Sequence, residues 1–414
     1  MFDAALEAAR AEARDTPLEK FDVSRPERFR DQTHWPFFDR LRAEDPIHHC
    51  ADSAFGPYWS VTRWADIMTV ETTPEVFSSK LGILVGDAFE DFALNSFITS
   101  DEPRHSQWRK PVMPGVGGPR LAELETIVRA HAVDILDGLP RGEEFDWVSR
   151  VSVELTTRLL AALFDFPFED RALLTHWSDV ATNTPQVGAG TMPHEDRKRI
   201  LMECAARFMA LWDERRGRPA LDFLSLMANH PDTEGMRAEP FDLLGNLIIL
   251  IVGGNDTTRN SISGGLLALH QNPDQFARLR DDPALLPGAV SEIIRWQTPI
   301  AYMRRTALSD FDLGGKTIRE GDKVLMWYIS ANRDDAKFDD PYTFDIGRRN
   351  ARAHMSFGFG IHRCMGNHVA EMQLNILWQE ILARFPVIEV TGPPERATSN
   401  FVMGFSKMLV RIPA

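Results

Sequence analysis

Cys364 has neighbours that could give it chemistry. It lies in Phe357-Gly358-Phe359-Gly360-Ile361-His362-Arg363-Cys364-Met365-Gly366, just ahead of a stretch with helical periodicity. Glycines allow tight turns and close approach of a flat molecule, and the start of a helix lowers a thiol's pKa and favours the thiolate. A thiolate held this way is a strong axial ligand for haem iron, onto which it pushes electron density. The plainer reading is a buried free cysteine. A second group is Gly253-Gly254-Asn255-Asp256-Thr257-Thr258, which interrupts an apolar helical run beginning at Leu247. Two glycines inside a helix cost about 1 kcal/mol each relative to alanine, so something must compensate. The Thr257 hydroxyl can bond back to the Gly253 carbonyl and bend the helix. That would open a cleft beside an acid and an alcohol, suited to binding and protonating a small ligand such as dioxygen. The alternative is a helix end at Gly253-Gly254, with Asp256 capping the next helix.

The elements that must position these groups are mostly helical. Residues 26–45 read as one amphipathic helix around Trp35, Phe37, Phe38 and Leu41, Tyr58–Thr62 as a strand, and Trp64–Thr72 as a helix. Residues 78–100 are irregular and apolar. Helical patterns then run from Pro103 to about residue 296, broken near Pro114-Gly115, Pro140, Pro167, 185–193 and 230–240. Strand-like pieces return at 301–327, with turns at Gly314-Gly315 and Glu320-Gly321-Asp322. The expectation is a mainly α chain with a minor β region. No GxGxxG or phosphate loop is present, which predicts no nicotinamide or flavin domain and no fused reductase.

Composition narrows the function classes. With 414 residues, 43% of them hydrophobic, the chain can bury a large core. A net charge of −14 argues against general nucleic-acid binding and against an anionic membrane surface. Cys50, Cys204 and Cys364 are scattered without CxxC or Cys/His zinc spacing, which argues against a disulfide scaffold or a zinc module. Residues 1–20 read as a polar, mobile segment with no signal-peptide core, and Leu247–Val252 is too short to span a bilayer. These features point to a cytoplasmic protein.

The Phe357–Gly366 run resembles the haem-binding signature of the cytochrome P-450 family at Phe357, Gly358, Gly360, His362, Cys364 and Gly366. The 247–258 segment is similar to that family's oxygen-activating helix, with Asp256 and Thr257 in the acid and alcohol positions. The resemblance implies a single domain over 1–414, with haem b between that helix and the cysteine loop and Cys364 as axial ligand. It implies that Thr257 hydrogen-bonds the bound oxygen and that Asp256 relays protons. Members that use peroxide directly often lack this pair, so its presence favours reductive activation of O2. Glu292-Ile293-Ile294-Arg295 resembles the family's buried Glu–Arg pair, with Arg348 as third member. For the haem propionates the resemblance nominates His105, Arg109, His362 and one of Arg304-Arg305, with Arg305 preferred by its spacing to Ser309-Asp310. Residues 346–370 hold no acid but include Arg348, Arg349, Arg352 and Arg363. With Arg109 and Lys110 they read as a docking face for an acidic iron–sulfur ferredoxin, itself served by a reductase and reduced nicotinamide. The plainer reading is a chance surface patch.

The segments Tyr58–Ser79 and Met355–Leu374 look especially like bacterial alkane and fatty-acid terminal hydroxylases. Attack at a chain end needs a narrow apolar channel, for which the candidate lining is Ile83, Leu84, Val85, Phe89, Phe97, Leu250 and Gly253. Ile300, Ala301, Met303, Val402, Met403 and Phe405 would complete it. The implied enzyme is a monomeric monooxygenase of medium-chain alkanes or fatty acids. A terpene or other compact hydrophobe is the second substrate reading. A haem sensor or carrier without turnover and a cysteine hydrolase using Cys364 as nucleophile are the readings from other classes.

Overall fold

The computed structural model describes residues 2–414, and one unbroken helix of 32 residues, Pro240–Gln271, runs through its core. Gly253-Gly254 does not end this helix, so Asp256 is not a cap. A Cβ added to Gly254 would lie 2.8 Å from Leu160 Cδ2, whereas one added to Gly253 would meet nothing within 4 Å. One glycine lets the helix Glu154–Phe164 approach closely, and the other leaves space open. Helix–helix packing is what compensates the glycine cost. Leu243, Leu244, Leu247 and Ile251 are fully buried, each stabilising the fold by about 1.5–3 kcal/mol.

Around this central helix pack Ala172–Thr182, Glu154–Phe164 and Leu286–Gln297, while Asn367–Arg384 packs on Gly118–Asp137 and Leu286–Gln297. A five-stranded sheet sits to one side. Its order is Ile47–Cys50, Tyr58–Val61, Lys323–Met326, Met303–Ala307, Phe77–Ser78, and only the second and third strands pair in parallel. Period-two alternation along Met303–Ala307 sends Arg304 and Arg305 to opposite faces. Arg304 reaches Asp87, and Arg305 reaches Glu71.

Three expectations change. Residues 26–45 form two helices, Pro26–Arg30 and Trp35–Glu44, separated at Gln32, whose φ of 57° is incompatible with a continuous right-handed helix. The segment expected to be a polar mobile leader contains the helix Phe2–Asp15, whose Ala9 and Ala13 are buried in the same cluster as Phe37 and Leu41. Small strands at Ile47–Cys50, Glu389–Val390, Glu395–Arg396, Phe405–Lys407 and Leu409–Arg411 lack a clear alternation in sequence, and Glu389–Val390 and Leu409–Arg411 pair across long loops.

His34 is buried at the start of Trp35–Glu44, stacked on Phe29 with centroids 4.8 Å apart. Its Nδ1 lies 3.2 Å from the Arg28 carbonyl and its Nε2 has no partner. Burial, aided by Arg396 and Arg333, pushes its pKa down to about 3. The folded state therefore holds His34 neutral, while the unfolded chain binds a proton below about pH 6.5. Its contribution is complete above that pH and is lost as pH falls towards 3. Stability should drop by about 1.4 kcal/mol per pH unit for this group. Urea unfolding from pH 7 to 4 should show a shallower slope in His34→Gln than in the wild type.

Candidate active site

The cysteine loop is shaped by two glycines in the left-handed region. Gly358 has φ 62°, and a Cβ there would lie 3.1 Å from Glu71 Oε1; Gly360 has φ 64°, and its Cβ would collide with the Glu71 carbonyl. The turn brings the Cys364 N–H to the Phe357 carbonyl at 2.8 Å. Cys364 opens onto a cavity of about 370 Å³, which Phe357, Gly358, His362 and Gly366 also line. Its exposure is to this cavity. Burial pushes the thiol's pKa up, against the lowering expected at a helix start, while the Gly366 N–H, Arg109 and Arg363 act downward. Desolvation outweighs the nearby positive charge.

The central helix supplies another wall. Thr257 Oγ1 donates to the Gly253 carbonyl at 2.7 Å, as expected, and both residues line the cavity. Asp256 does not. It is fully buried on another side of the helix, where Oδ2 accepts from Ser178 at 3.0 Å. Its Oδ1 lies 2.6 Å from Arg259 Nη2 without hydrogen-bond alignment. Arg259 also pairs with Asp179, half of whose side chain is exposed, at 2.9 Å. Burial raises the Asp256 pKa, with Arg259 opposing.

Of the four expected carboxylate partners, Arg109, Arg305 and His362 line the cavity. Arg109 Nη2 donates to the Arg363 carbonyl. Arg305 is paired with Glu71 at 3.0 Å, and Tyr328 donates to the other Glu71 oxygen. His362 Nε2 meets Ser79 Oγ at 3.1 Å, while its buried Nδ1 has no partner. Burial, with Arg305, His105 and Arg109, depresses its pKa to about 2. His105 departs from expectation. Its two ring nitrogens face the carbonyls of Phe97 (2.7 Å) and Ile361 (2.9 Å), and it is not part of the cavity wall.

Ile83, Leu84, Phe89, Phe97, Leu250, Gly253, Ile300 and Met303 line the cavity as expected. Val85, Ala301, Val402, Met403 and Phe405 do not. The Val85 N–H is bound to the Tyr302 hydroxyl, and Ala301 pairs with the Phe401 carbonyl. Val402 bridges to Ile300, Met403 bonds to Pro299, and Phe405 sits in a strand opposite Arg396. Phe401 reaches the cavity in their place, as does Arg197, which the sequence reading missed. Nothing in its local pattern separates Arg197 from the surface arginines of an amphipathic helix.

Glu292, Arg295 and Arg348 form the expected network. Arg295 grips Glu292 through two bonds of 2.7 Å, and Arg348 Nε lies 3.2 Å from the same carboxylate. Arg295 also donates to the Asn332 carbonyl at 2.6 Å, and the Asn332 side chain bonds the Met355 N–H and Ser356 Oγ at the entry to the cysteine loop. Because its side chain is buried in this network, Arg348 drops out of the basic face. Arg349, Arg352, Arg363 and Lys110 stay exposed, without an ion-pair partner among the described residues.

The profile of the family described as Cytochrome P450 matches residues 190–411. A linalool 8-monooxygenase of Pseudomonas putida is 34% identical over 404 residues, spanning 95% of this chain and 99% of that protein. A methyl-branched lipid omega-hydroxylase of Mycobacterium bovis is 32% identical over 386 residues, 90% of each chain. The solved structure of cytochrome P450-153 from Novosphingobium aromaticivorans superposes with a TM-score of 0.89 at 43% identity, covering 94% of this chain and 99% of that one.

Breaking a buried ion pair strands its partner, at a cost of about 3–5 kcal/mol. Glu292→Leu should lose that much unfolding free energy in denaturant titrations, whereas Asp213→Leu, at an exposed pair with Arg237, should leave the unfolding midpoint almost unchanged.

Proposed function

Because this chain belongs to the cytochrome P450 family, whose monooxygenases use haem b, O2 and electrons passed on by partner proteins, we propose that it hydroxylates the terminal carbon of a medium-chain alkane or fatty acid. The carrying observation is one continuous, mostly apolar cavity that includes both Cys364 and Thr257 and is walled by Leu84, Phe89, Phe97, Leu250 and Ile300. The omega-hydroxylase relative supports a chain-end reaction. The linalool 8-monooxygenase relative supports a compact terpene as the second reading.

The donor set fits haem. A free thiol faces the cavity, Gly366 has no atom within 4 Å of where a Cβ would stand, and His362 Nδ1 is buried without a partner beside two cavity-lining arginines. In this reading Cys364 would hold the iron. Arg109, Arg305 and His362 would meet the propionates, since a buried carboxylate needs charge-assisted partners. His105 supports this end from behind, against the carbonyls of Phe97 and Ile361. The chemistry that haem would supply when bound is activation of O2, in which two electrons and two protons send one oxygen atom into a C–H bond and the other to water. The apolar wall orients the chain end and excludes water. Asp256 takes up protons from the solvent side, where Arg259 links it to the half-exposed Asp179, and burial favours its protonated form. Thr257 stands in the cavity wall with its hydroxyl proton on the Gly253 carbonyl.

The whole chain acts as one haem domain, a cytoplasmic monomer. Arg349, Arg352, Arg363 and Lys110 receive an acidic ferredoxin, which a reductase recharges from reduced nicotinamide. A haem sensor would need neither the proton route nor this face.

Supplied with ferredoxin, reductase and NADH, the protein should convert dodecane to 1-dodecanol and laurate to 12-hydroxylaurate, detected by gas chromatography–mass spectrometry. Products from terpenes alone would overturn the chain-end reading, and no product across the panel would overturn turnover itself. Asp256→Asn should lower turnover at least tenfold with the substrate-induced spectral shift retained. Raising NaCl from 50 to 500 mM should raise the apparent KM for ferredoxin severalfold, through screening, and Arg352→Glu should mimic this at low salt.

A further inference from the structure

The ionisable nitrogen side chains of the cavity fall into two sets. Arg109, Arg305 and His362 gather beside Cys364, where haem propionates would account for them. Arg197 stands apart, on the helix His194–Arg215, against Ala181 at the end of the helix Ala172–Thr182 and beside the Phe92 ring. It lines the cavity and is only 8% exposed.

A guanidinium carries five N–H donors. Among the described residues, Arg197 places one of them, Nη2 on the Ala181 carbonyl at 3.1 Å, and its buried Nε has no acceptor. Among the described residues no acid pairs with it. Asp91, bonded to its helix neighbours His194 (3.0 Å) and Lys198 (2.7 Å), is taken up by those two. The Phe92 centroid, 6.0 Å away, is at the outer limit of a cation–π contact and accepts no hydrogen bond of ordinary strength. Burial lowers the Arg197 pKa with no neighbouring charge to offset it. A cation in an apolar wall with unmatched donors costs stability unless something answers it.

We propose that Arg197 binds the carboxylate of the substrate, which makes the preferred ligand a fatty acid held at this end, with its methyl end towards Thr257 and Cys364. This rests on the chain-end reading above and decides between its two substrates. The planar fork of arginine matches a carboxylate with two parallel bonds, whereas an alkane leaves the cation unanswered. Ile248, Ile249 and Val252, also in the cavity wall, would take the alkyl chain between the two ends. An anchored carboxylate also sets the reach of the chain, so one range of lengths brings the terminal carbon to the reacting position.

The test is titration of the haem-loaded protein with laurate, methyl laurate and dodecane, followed by the haem absorption shift and, for laurate, by calorimetry. Arg197→Met should weaken laurate at least tenfold and leave methyl laurate and dodecane within twofold, and Arg197→Lys should restore part of the loss. The substrate-free Arg197→Met protein should melt no earlier than wild type, because an unmatched buried charge has been removed. Unchanged laurate affinity, or equal losses for all three ligands, would overturn the proposal. Arg197-dependent laurate binding without terminal hydroxylation would uphold the carboxylate site while refuting the reaction reading.

Discussion

The pairing of Glu292 with Arg295 is the interaction from which the position of the cysteine loop follows. Both side chains are completely buried, where an isolated ion would cost several kcal/mol. Arg295 answers Glu292 with two bonds and spends its remaining donors on the carbonyls of Asn332, Pro341 and Thr343. Asn332 carries the constraint onward to Met355 and Ser356, and the Phe357 carbonyl then receives the Cys364 N–H. A chain of short hydrogen bonds thus runs from the helix Leu286–Gln297 to the cysteine loop in the cavity wall. Its rigidity comes from polar groups having no water to turn to.

The same rule orders the rest of the interior. Glu71 is matched by Arg305 and Tyr328 and sits under Gly358 and Gly360, so the sheet and the cysteine loop meet at one satisfied carboxylate. Asp256 is matched by Arg259 and Ser178, with a link to the surface through Asp179. Arg197 is the buried cation of the cavity that this matching leaves over, and its unmatched donors are what make it informative.

Much of the site was legible because it is local. Cys364 with its flanking glycines, Thr257 four residues after Gly253, and Glu292 three before Arg295 depend on turn and helix geometry that a short stretch specifies. The major helices were legible for the same reason. The small C-terminal strands were not, since they are two or three residues long with no clear alternation, and the partners of Leu409–Arg411 lie far off in the sequence. Residues 26–45 read as continuous because the apolar spacing persists across Gln32, whose left-handed turn no glycine announces. His105 and the five misplaced cavity residues were chosen correctly by neighbourhood and wrongly by direction. Which way a side chain faces depends on strand register and on backbone partners elsewhere, such as Tyr302 for Val85.

By itself the sequence determined the chemistry: a thiol behind a glycine turn, an acid and an alcohol on one helix, and a buried ion pair ahead of them, all encoded within a few residues each. Only the tertiary structure decided what each group faces. It turned Asp256 away from the cavity and Thr257 into it, sent Arg305 to the cavity and Arg304 to Asp87, and withdrew Arg348 from the surface. It also left Arg197 buried without an acid to meet it. The physical reason is that reactive type is a property of the residue. Burial, charge matching and the side of a helix that lines a void are properties of the packed whole.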